Sequence, residues 1–268
     1  MMTVLITGVS SGIGKAVKEA LLLRGHQVIG LDKEPLSASC TPSSGRFLFF
    51  RADILDKAAL QDISGELQKK GVVLDAVIDI AGMHAICSMI ESDPDRILRL
   101  LRVNVEGPVL VNRVFYPLLR AGGRILIVTS EVARLDPLPF NGAYTVSKTA
   151  LASYVQALRQ ELFLRGQKVV EIKPGAIRTK LSEGSLTDLA AFAESTELFR
   201  KQAGRFIRIA KTFMGTPLEP EKAAALIVRA AARKHPRTVY TLHRNPGLIL
   251  LGLLPQKVQC LLIRLLLG

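Results

Sequence analysis

The chain has 268 residues, 49% of them apolar and 22% charged, with no low-complexity tract, which suits one sizeable α/β domain and excludes a disordered or fibrous protein. Its formal charge is +13, yet the basic residues are spread along the chain, aromatics make up only 5%, and no helix-turn-helix, zinc-finger or RNA-binding signature occurs; nucleic acid is excluded and an anionic membrane surface stays open. Three cysteines (Cys40, Cys87, Cys260) and four histidines (His26, His84, His235, His243) lack ligand spacing, which argues against a metal centre or a disulfide framework and for a reducing, cytoplasmic compartment.

The first strand-like run is Thr3–Ile6, which leaves no room for a signal peptide before the fold begins. Directly after it come Thr7-Gly8-Val9-Ser10-Ser11-Gly12-Ile13-Gly14 and an amphipathic helix through Arg24. Strand, glycine turn and helix in this order predict a phosphate cradle. Gly8 and Gly12 permit a tight turn and close backbone approach to a pyrophosphate, Gly14 lets helix and strand pack closely, and Ser10, Ser11 and Ile13 lie in the same loop. The next strand, Gln27–Leu31, ends in Asp32, whose carboxylate can accept from ribose hydroxyls and would repel a 2′-phosphate. NAD is therefore the expected cofactor, while Lys15 and Lys33 close by leave NADP open.

Lys33–Gly45, rich in Ser and Pro, reads as a surface loop. Further short apolar runs follow at Phe47–Arg51, Leu74–Ile80, Arg124–Thr129, Lys168–Ile172 and Thr238–Leu242, with helical stretches between them; His84 lies near one of the strand ends, where pockets form. This alternation predicts a doubly wound parallel sheet of about seven strands, Rossmann-type, with helices on both faces and residues 1–244 forming one domain. At the start of a long apolar helix stand Tyr144 and Lys148, four apart and so on one face. A phenol normally titrates near 10, and a neighbouring ammonium favours phenolate, so Tyr144 is expected to have a lowered pKa and to serve as both acid and base.

The glycine spacing Gly-x-x-x-Gly-x-Gly, taken with Tyr144 and Lys148, resembles the short-chain dehydrogenase/reductase family over most of the chain. The resemblance implies that Asp53-Ile54 contacts the adenine and that Ala81-Gly82 ends the family's Asn-Asn-Ala-Gly element. It implies that Asn104 helps hold a water in the proton path, and that Lys173-Pro174-Gly175-Ala176-Ile177-Arg178-Thr179 is the turn whose threonine reaches the nicotinamide side. Lys148 would bond the nicotinamide ribose. Two departures stand out. The double asparagine is Asp79-Ile80, expected to change how neighbouring strands are tied. The serine that holds the substrate oxygen lies thirteen residues before the tyrosine in the family, and that position is Glu131, with Ser130 one step earlier. A strict strand register points Glu131 inward, but one extra residue absorbed in Arg134–Asn141 returns Ser130 to the site, which is the expectation here because a carboxylate would oppose negative charge on the reacting oxygen.

The implied activity is interconversion of an alcohol and its carbonyl. In the variable stretch Lys180–Pro217 stand Leu181, Leu186, Leu189, Phe192, Phe199, Phe206, Ile207, Phe213 and Met214, which suit either a lipophilic pocket or a core beneath a lid. The run Leu138-Pro139-Phe140-Asn141 resembles the hydroxysteroid and retinol dehydrogenase branch, so a steroid-, retinoid- or lipid-like substrate is expected. Residues 245–268 are strongly apolar but broken by Pro255, Lys257, Gln259 and Arg264, too short for a clean membrane span. Val258, Leu261, Leu262 and Leu265 form one helical stripe that fits a peripheral membrane contact, a subunit interface or a cap on the pocket. A homodimer or homotetramer is the expected assembly. A non-catalytic dinucleotide sensor and a peripheral membrane protein are the rival readings of the same fold.

Overall fold

The computed structural model describes residues 1–36, 45–213 and 216–268, the side chains of residues 180–183, 185–186 and 211–213 excepted. Most of the Ser/Pro-rich loop and Cys40 lie outside the described residues. Seven parallel strands form one sheet: β1 (Thr3–Thr7), β2 (Gln27–Asp32), β3 (Phe47–Arg51), β4 (Leu74–Asp79), β5 (Leu119–Val128), β6 (Lys168–Pro174) and β7 (Val239–Leu242), in the spatial order β3-β2-β1-β4-β5-β6-β7.

The period-2 alternation of strands buried on both faces decides which side chain serves which layer. In β1, Val4 and Ile6 join the core beneath α1 (Gly12–Leu23) and α8 (Pro220–Ala232), while Leu5 joins the opposite core with α2 (Lys57–Lys69), α4 (Gly107–Phe115) and α5 (Gly142–Phe163). Strand order reverses between β1 and β4, the position where ligands bind at the carboxyl ends of such sheets. Only one strand departs clearly from the sequence expectation. β5 begins at Leu119 rather than Arg124, because Gly122, at φ +71°, lets the chain make an irregular turn between the pairs Leu74–Leu119 and Ala76–Arg124.

At the end of β4 the unusual Asp79 is buried and accepts a hydrogen bond from Asn112 Nδ2 on α4 at 2.8 Å. Its side chain therefore ties strand to helix; the strand-to-strand tie expected from the sequence is made by Thr7, whose Oγ1 accepts from the N–H groups of Ile80 and Ala81 at 3.0 and 3.1 Å. Burial pushes the Asp79 carboxyl from 3.8 up to about 7, the Asn112 bond offsetting only part of the shift. The folded pKa lies above the unfolded one, so stability is fully present below about pH 4 and declines as pH rises through about 7, by up to about 4 kcal/mol. Urea unfolding at about pH 5 and about pH 8 should show the wild type losing stability relative to Asp79→Asn over this interval, since groups common to both chains cancel in the comparison; equal slopes would remove Asp79 as the cause.

Candidate active site

The glycine loop closes as a cradle. Gly8 (φ +79°) and Gly12 (φ +52°) use left-handed backbone that side chains disfavour. A Cβ on Gly14 would stand 1.9 Å from the Gly8 carbonyl oxygen, so the first turn of α1 lies directly on the loop. Ser11 is the N-cap of α1 without using its side chain, so the helix N-terminus presents N–H donors at the loop. Asp32, at the end of β2, accepts from Ser10 N–H at 2.9 Å through Oδ2 and from Glu34 N–H at 3.0 Å through Oδ1, which fixes its carboxylate beside the turn. These residues fit a dinucleotide: space where any Cβ would intrude, donors at a helix start, and an acceptor placed for hydroxyls.

Around this cradle the other expected contacts are arranged unevenly. Ala81 packs its backbone on Gly8, and Gly82 lies beside both Asn104 and Lys148, where an added Cβ would be 3.1 Å from Oδ1 and 3.6 Å from Nζ respectively. Asp53 is exposed and folds its carboxylate onto Leu55 N–H at 3.0 Å, whereas Ile54 is buried in the core against Gly107. Beyond β6, Pro174 accepts from Glu131 N–H at 2.9 Å, Gly175 packs on the His243 carbonyl, Ile177 bridges to Leu218, and Thr179 reaches back to the glycine loop, its Cγ2 3.0 Å from where a Gly12 Cβ would be.

The proton-handling group sits on α5 and on β5's exit. Tyr144 is hydrogen-bonded to Ser130, and both line one cavity with Lys148. The loop between them contains two non-glycine residues in left-handed conformation, Arg134 (φ +71°) and Phe140 (φ +65°). Phe140 is held there by an aromatic cluster with Phe192, Phe199 and Phe206 at 4.9 to 5.6 Å. Glu131 also reaches the cavity wall, but its Oε2 accepts from Asn245 N–H at 2.6 Å. Lys148 Nζ donates to the Val128 carbonyl at 3.2 Å and lies 5.8 Å from the Tyr144 ring centroid.

The expected lowering of Tyr144 is corrected by the structure. Burial pushes its phenol up to about 12, the Ser130 hydrogen bond opposing and the Glu131 charge adding, while burial pushes Lys148 down to about 8. Desolvation is the largest cause for both groups, and Lys148 directs its ammonium at the Val128 carbonyl rather than at the phenol.

Asn104 occupies a widened helical turn, Arg102–Glu106, followed by Pro108, which lacks the N–H that would serve the Asn104 carbonyl four residues back. Its side chain accepts from Met83 N–H at 2.8 Å and donates to Met83 O and Ser147 Oγ, each at 2.9 Å; Ser147 in turn donates to the Tyr144 carbonyl at 2.7 Å. Asn104 thereby clamps the loop after β4 to the start of α5.

Two cavity residues carry only weak marks in the sequence. His84 packs against Tyr144 with tilted rings, centroids 4.5 Å apart, and shares a hydrogen bond with Asn141 Oδ1 at 3.0 Å; burial lowers its pKa and favours the neutral ring. Asn141 is at the N-cap of α5 but leaves the cap unmade in favour of His84, a diversion that a propensity reading takes for ordinary capping.

The cavity measures about 580 Å³ and is mainly aliphatic. Of the apolar residues expected there, Leu189 and Phe206 line it, whereas Phe192 and Phe199 belong to the aromatic cluster and Ile207 packs beside it. The side chains of Leu181, Leu186 and Phe213 lie outside the described residues, as does Met214 altogether. The far wall comes from the last residues of the chain, α9 (Pro246–Gly252) and α10 (Gln256–Leu267), through Leu248, Leu251, Leu262, Ile263 and Leu266.

A family model described as short chain dehydrogenase matches residues 2–190. An NADPH-dependent 1-acyldihydroxyacetone phosphate reductase of Schizosaccharomyces pombe is 31% identical over 193 residues, covering 70% of this chain and 64% of that protein. Estradiol 17-beta-dehydrogenase 2 of Mus musculus is 34% identical over 191 residues, 67% of this chain and 49% of that one; the match thus spans less than two thirds of either relative. A solved short chain dehydrogenase from Burkholderia cenocepacia in complex with NADP superposes with a TM-score of 0.74 at 21% identity, covering 100% of this chain and 98% of the other, a likeness of fold.

Proposed function

The chain belongs to the short-chain dehydrogenase family, and on that premise we propose that it interconverts an alcohol and its carbonyl on a lipophilic substrate. The observation that carries this reading is the Ser130-bonded phenol of Tyr144 standing at the wall of a large aliphatic cavity beside the glycine cradle. Gly8, Gly12 and Gly14 with Ser10, Ser11 and Ile13 would hold the pyrophosphate end of a dinucleotide, and Asp32 the adenosine ribose. Asp53 and Ile54 would flank the adenine, and Ala81, Gly82, Pro174, Gly175, Ile177, Thr179 and Lys148 the nicotinamide half. When bound, the dinucleotide supplies or accepts the hydride.

The chain's own groups handle the proton. Ser130 holds the substrate oxygen, and Tyr144, kept as a neutral phenol by burial, donates to that oxygen as negative charge builds there. Lys148, lowered to about 8, exchanges its proton near neutral pH and can restore the phenol through a water that Asn104 helps to hold. The carboxylate of Asp32, fixed beside the glycine turn, favours NAD over NADP. A steroid-, retinoid- or lipid-like substrate is supported by the cavity's volume and lining, and by relatives named for acyl-lipid and estradiol substrates. The free thiols of Cys87 and Cys260 suit a reducing, cytoplasmic setting, and exposed Val109 and Val146 on α4 and α5 suit a homodimer or homotetramer.

A spectrophotometric screen of steroids, retinoids, 3-oxoacyl compounds and simple alcohols with NAD and NADP tests the proposal; absence of turnover throughout would sink it. On the substrate so found, Ser130→Ala should lower kcat by about 10²-fold or more and Glu131→Gln by less than about tenfold, since the serine bonds the Tyr144 phenol while the Glu131 carboxylate is engaged by Asn245 N–H. The reverse ranking would exchange the two roles.

A further inference from the structure

α10 packs against α7 (Arg200–Phe213), and α9 and α10 line the cavity together. Along α10 and the turn before it, Leu253, Leu261 and Leu265 are 75%, 65% and 80% exposed, although the inner side of the same helix walls the cavity. Leu265 and Leu266 do both: each lines the cavity and each is exposed, so the mouth of the cavity is framed by solvent-facing leucines. The charge around them is predominantly positive, Asp136 beside Gln259 being an exception. Residues 198–218 and 243–268 contain no Asp or Glu, while Arg200, Lys201, Arg208, Arg244, Lys257 and Arg264 are exposed there. Arg205 holds the backbone carbonyl of Gly268, pinning the end of α10 to this basic surface.

We propose that this face docks on an anionic bilayer surface, with α10 lying in the interface and the cavity mouth opening toward the lipid. An exposed apolar row flanked by cations is the pattern of an interfacial helix. A second copy of the chain is a poor occupant. A two-fold contact would set these six cations against their own equivalents with few carboxylates, chiefly Asp136 beside Gln259 of α10 and Glu197 before α7, to answer them, whereas lipid phosphates and carboxylates supply the missing charge. No helix among the described residues is long and apolar enough to cross a membrane, so the contact is made by one face. Delivery of a lipophilic substrate through the mouth rests on the enzymatic reading above, but docking is measured without turnover.

The test is co-sedimentation of the full chain with phosphatidylcholine vesicles, neutral or carrying about 30 mol % phosphatidylserine, at about 0.1 M salt. The wild type should partition at least about tenfold more strongly to the anionic vesicles, less so as salt rises. The double variant Leu253→Ser/Leu261→Ser, whose changes fall on solvent-facing positions outside the cavity lining, should lose about tenfold or more of that partition while keeping its thermal midpoint and dinucleotide affinity. Failure of the wild type to bind anionic vesicles overturns the proposal, as does full binding by the double variant. A shift in oligomeric size of that variant in sedimentation velocity, with vesicle binding unchanged, would assign the face to a second copy and overturn it as well. Turnover of a water-soluble carbonyl, assayed without vesicles, reports on the enzymatic reading alone.

Discussion

Tyr144→Phe is expected to fold, to bind the dinucleotide with affinity within about threefold of the wild type and to lose turnover by about 10³-fold or more, the upper part of the range for a positioned acid–base group. The ring is the structural part of this residue. It packs against the tilted ring of His84 at 4.5 Å in a buried setting, and phenylalanine keeps that contact. The hydroxyl is the chemical part, since it bonds Ser130 and borders the cavity, and its loss leaves Ser130 Oγ with the Val132 N–H at 3.3 Å. A 10³-fold loss corresponds to about 4 kcal/mol of barrier, more than the replacement of one hydrogen bond between neutral groups supplies, so the size of the effect separates proton transfer from simple binding. Single-turnover kinetics with a calorimetric measure of dinucleotide affinity would check it. Retention of a tenth of the activity would refute the role assigned to the phenol.

The second large effect is expected at the cradle. Gly14→Ala would place a methyl group 1.9 Å from the Gly8 carbonyl oxygen and 2.7 Å from its carbon, both backbone atoms that no rotamer change can move aside. The loop must then open away from α1, with a stability loss of about 1–3 kcal/mol or more from overpacking and a fall of about 100-fold or more in dinucleotide affinity as the helix N-terminus is displaced. Gly65 is the control. It sits inside α2 with nothing within 4 Å of an added Cβ, so Gly65→Ala should raise stability by about 0.5–1 kcal/mol and leave binding alone. Comparable losses from both substitutions would mean that helix propensity, not the close approach, governs Gly14.

The strands could be read from the chain because each is an apolar run bounded by glycine or charge, and their boundaries mostly fall within two residues of expectation. Arg120–Gly123 escaped because Arg-Ala-Gly-Gly carries turn chemistry while pairing through an irregular ladder. Tyr144, Lys148 and the glycine turn were visible because local geometry dictates their spacing. The electrostatics were not, since burial, which reverses the expected shift of Tyr144, depends on what covers α5 and no local spacing encodes it. Asp79 shows the same boundary. Its identity was plain, but its partner lies 33 positions away on a helix packed against the sheet. The tail was open to three readings from sequence, and the structure puts its inner side against the cavity.

The family match ends at residue 190, and with it end the cradle, Ser130, Tyr144, Lys148 and the turn at Pro174. Part of the cavity wall is drawn from the stretch beyond, above all from α9 and α10. On the proposed reading, reaction and recognition are therefore written in separate segments, and selection can rewrite the second while the first stands still. The hinge between them is short: Asn245, where the tail departs, is held by the carboxylate of Glu131, the neighbour of Ser130. A lineage that exchanged its tail would keep its chemistry provided it kept that clasp.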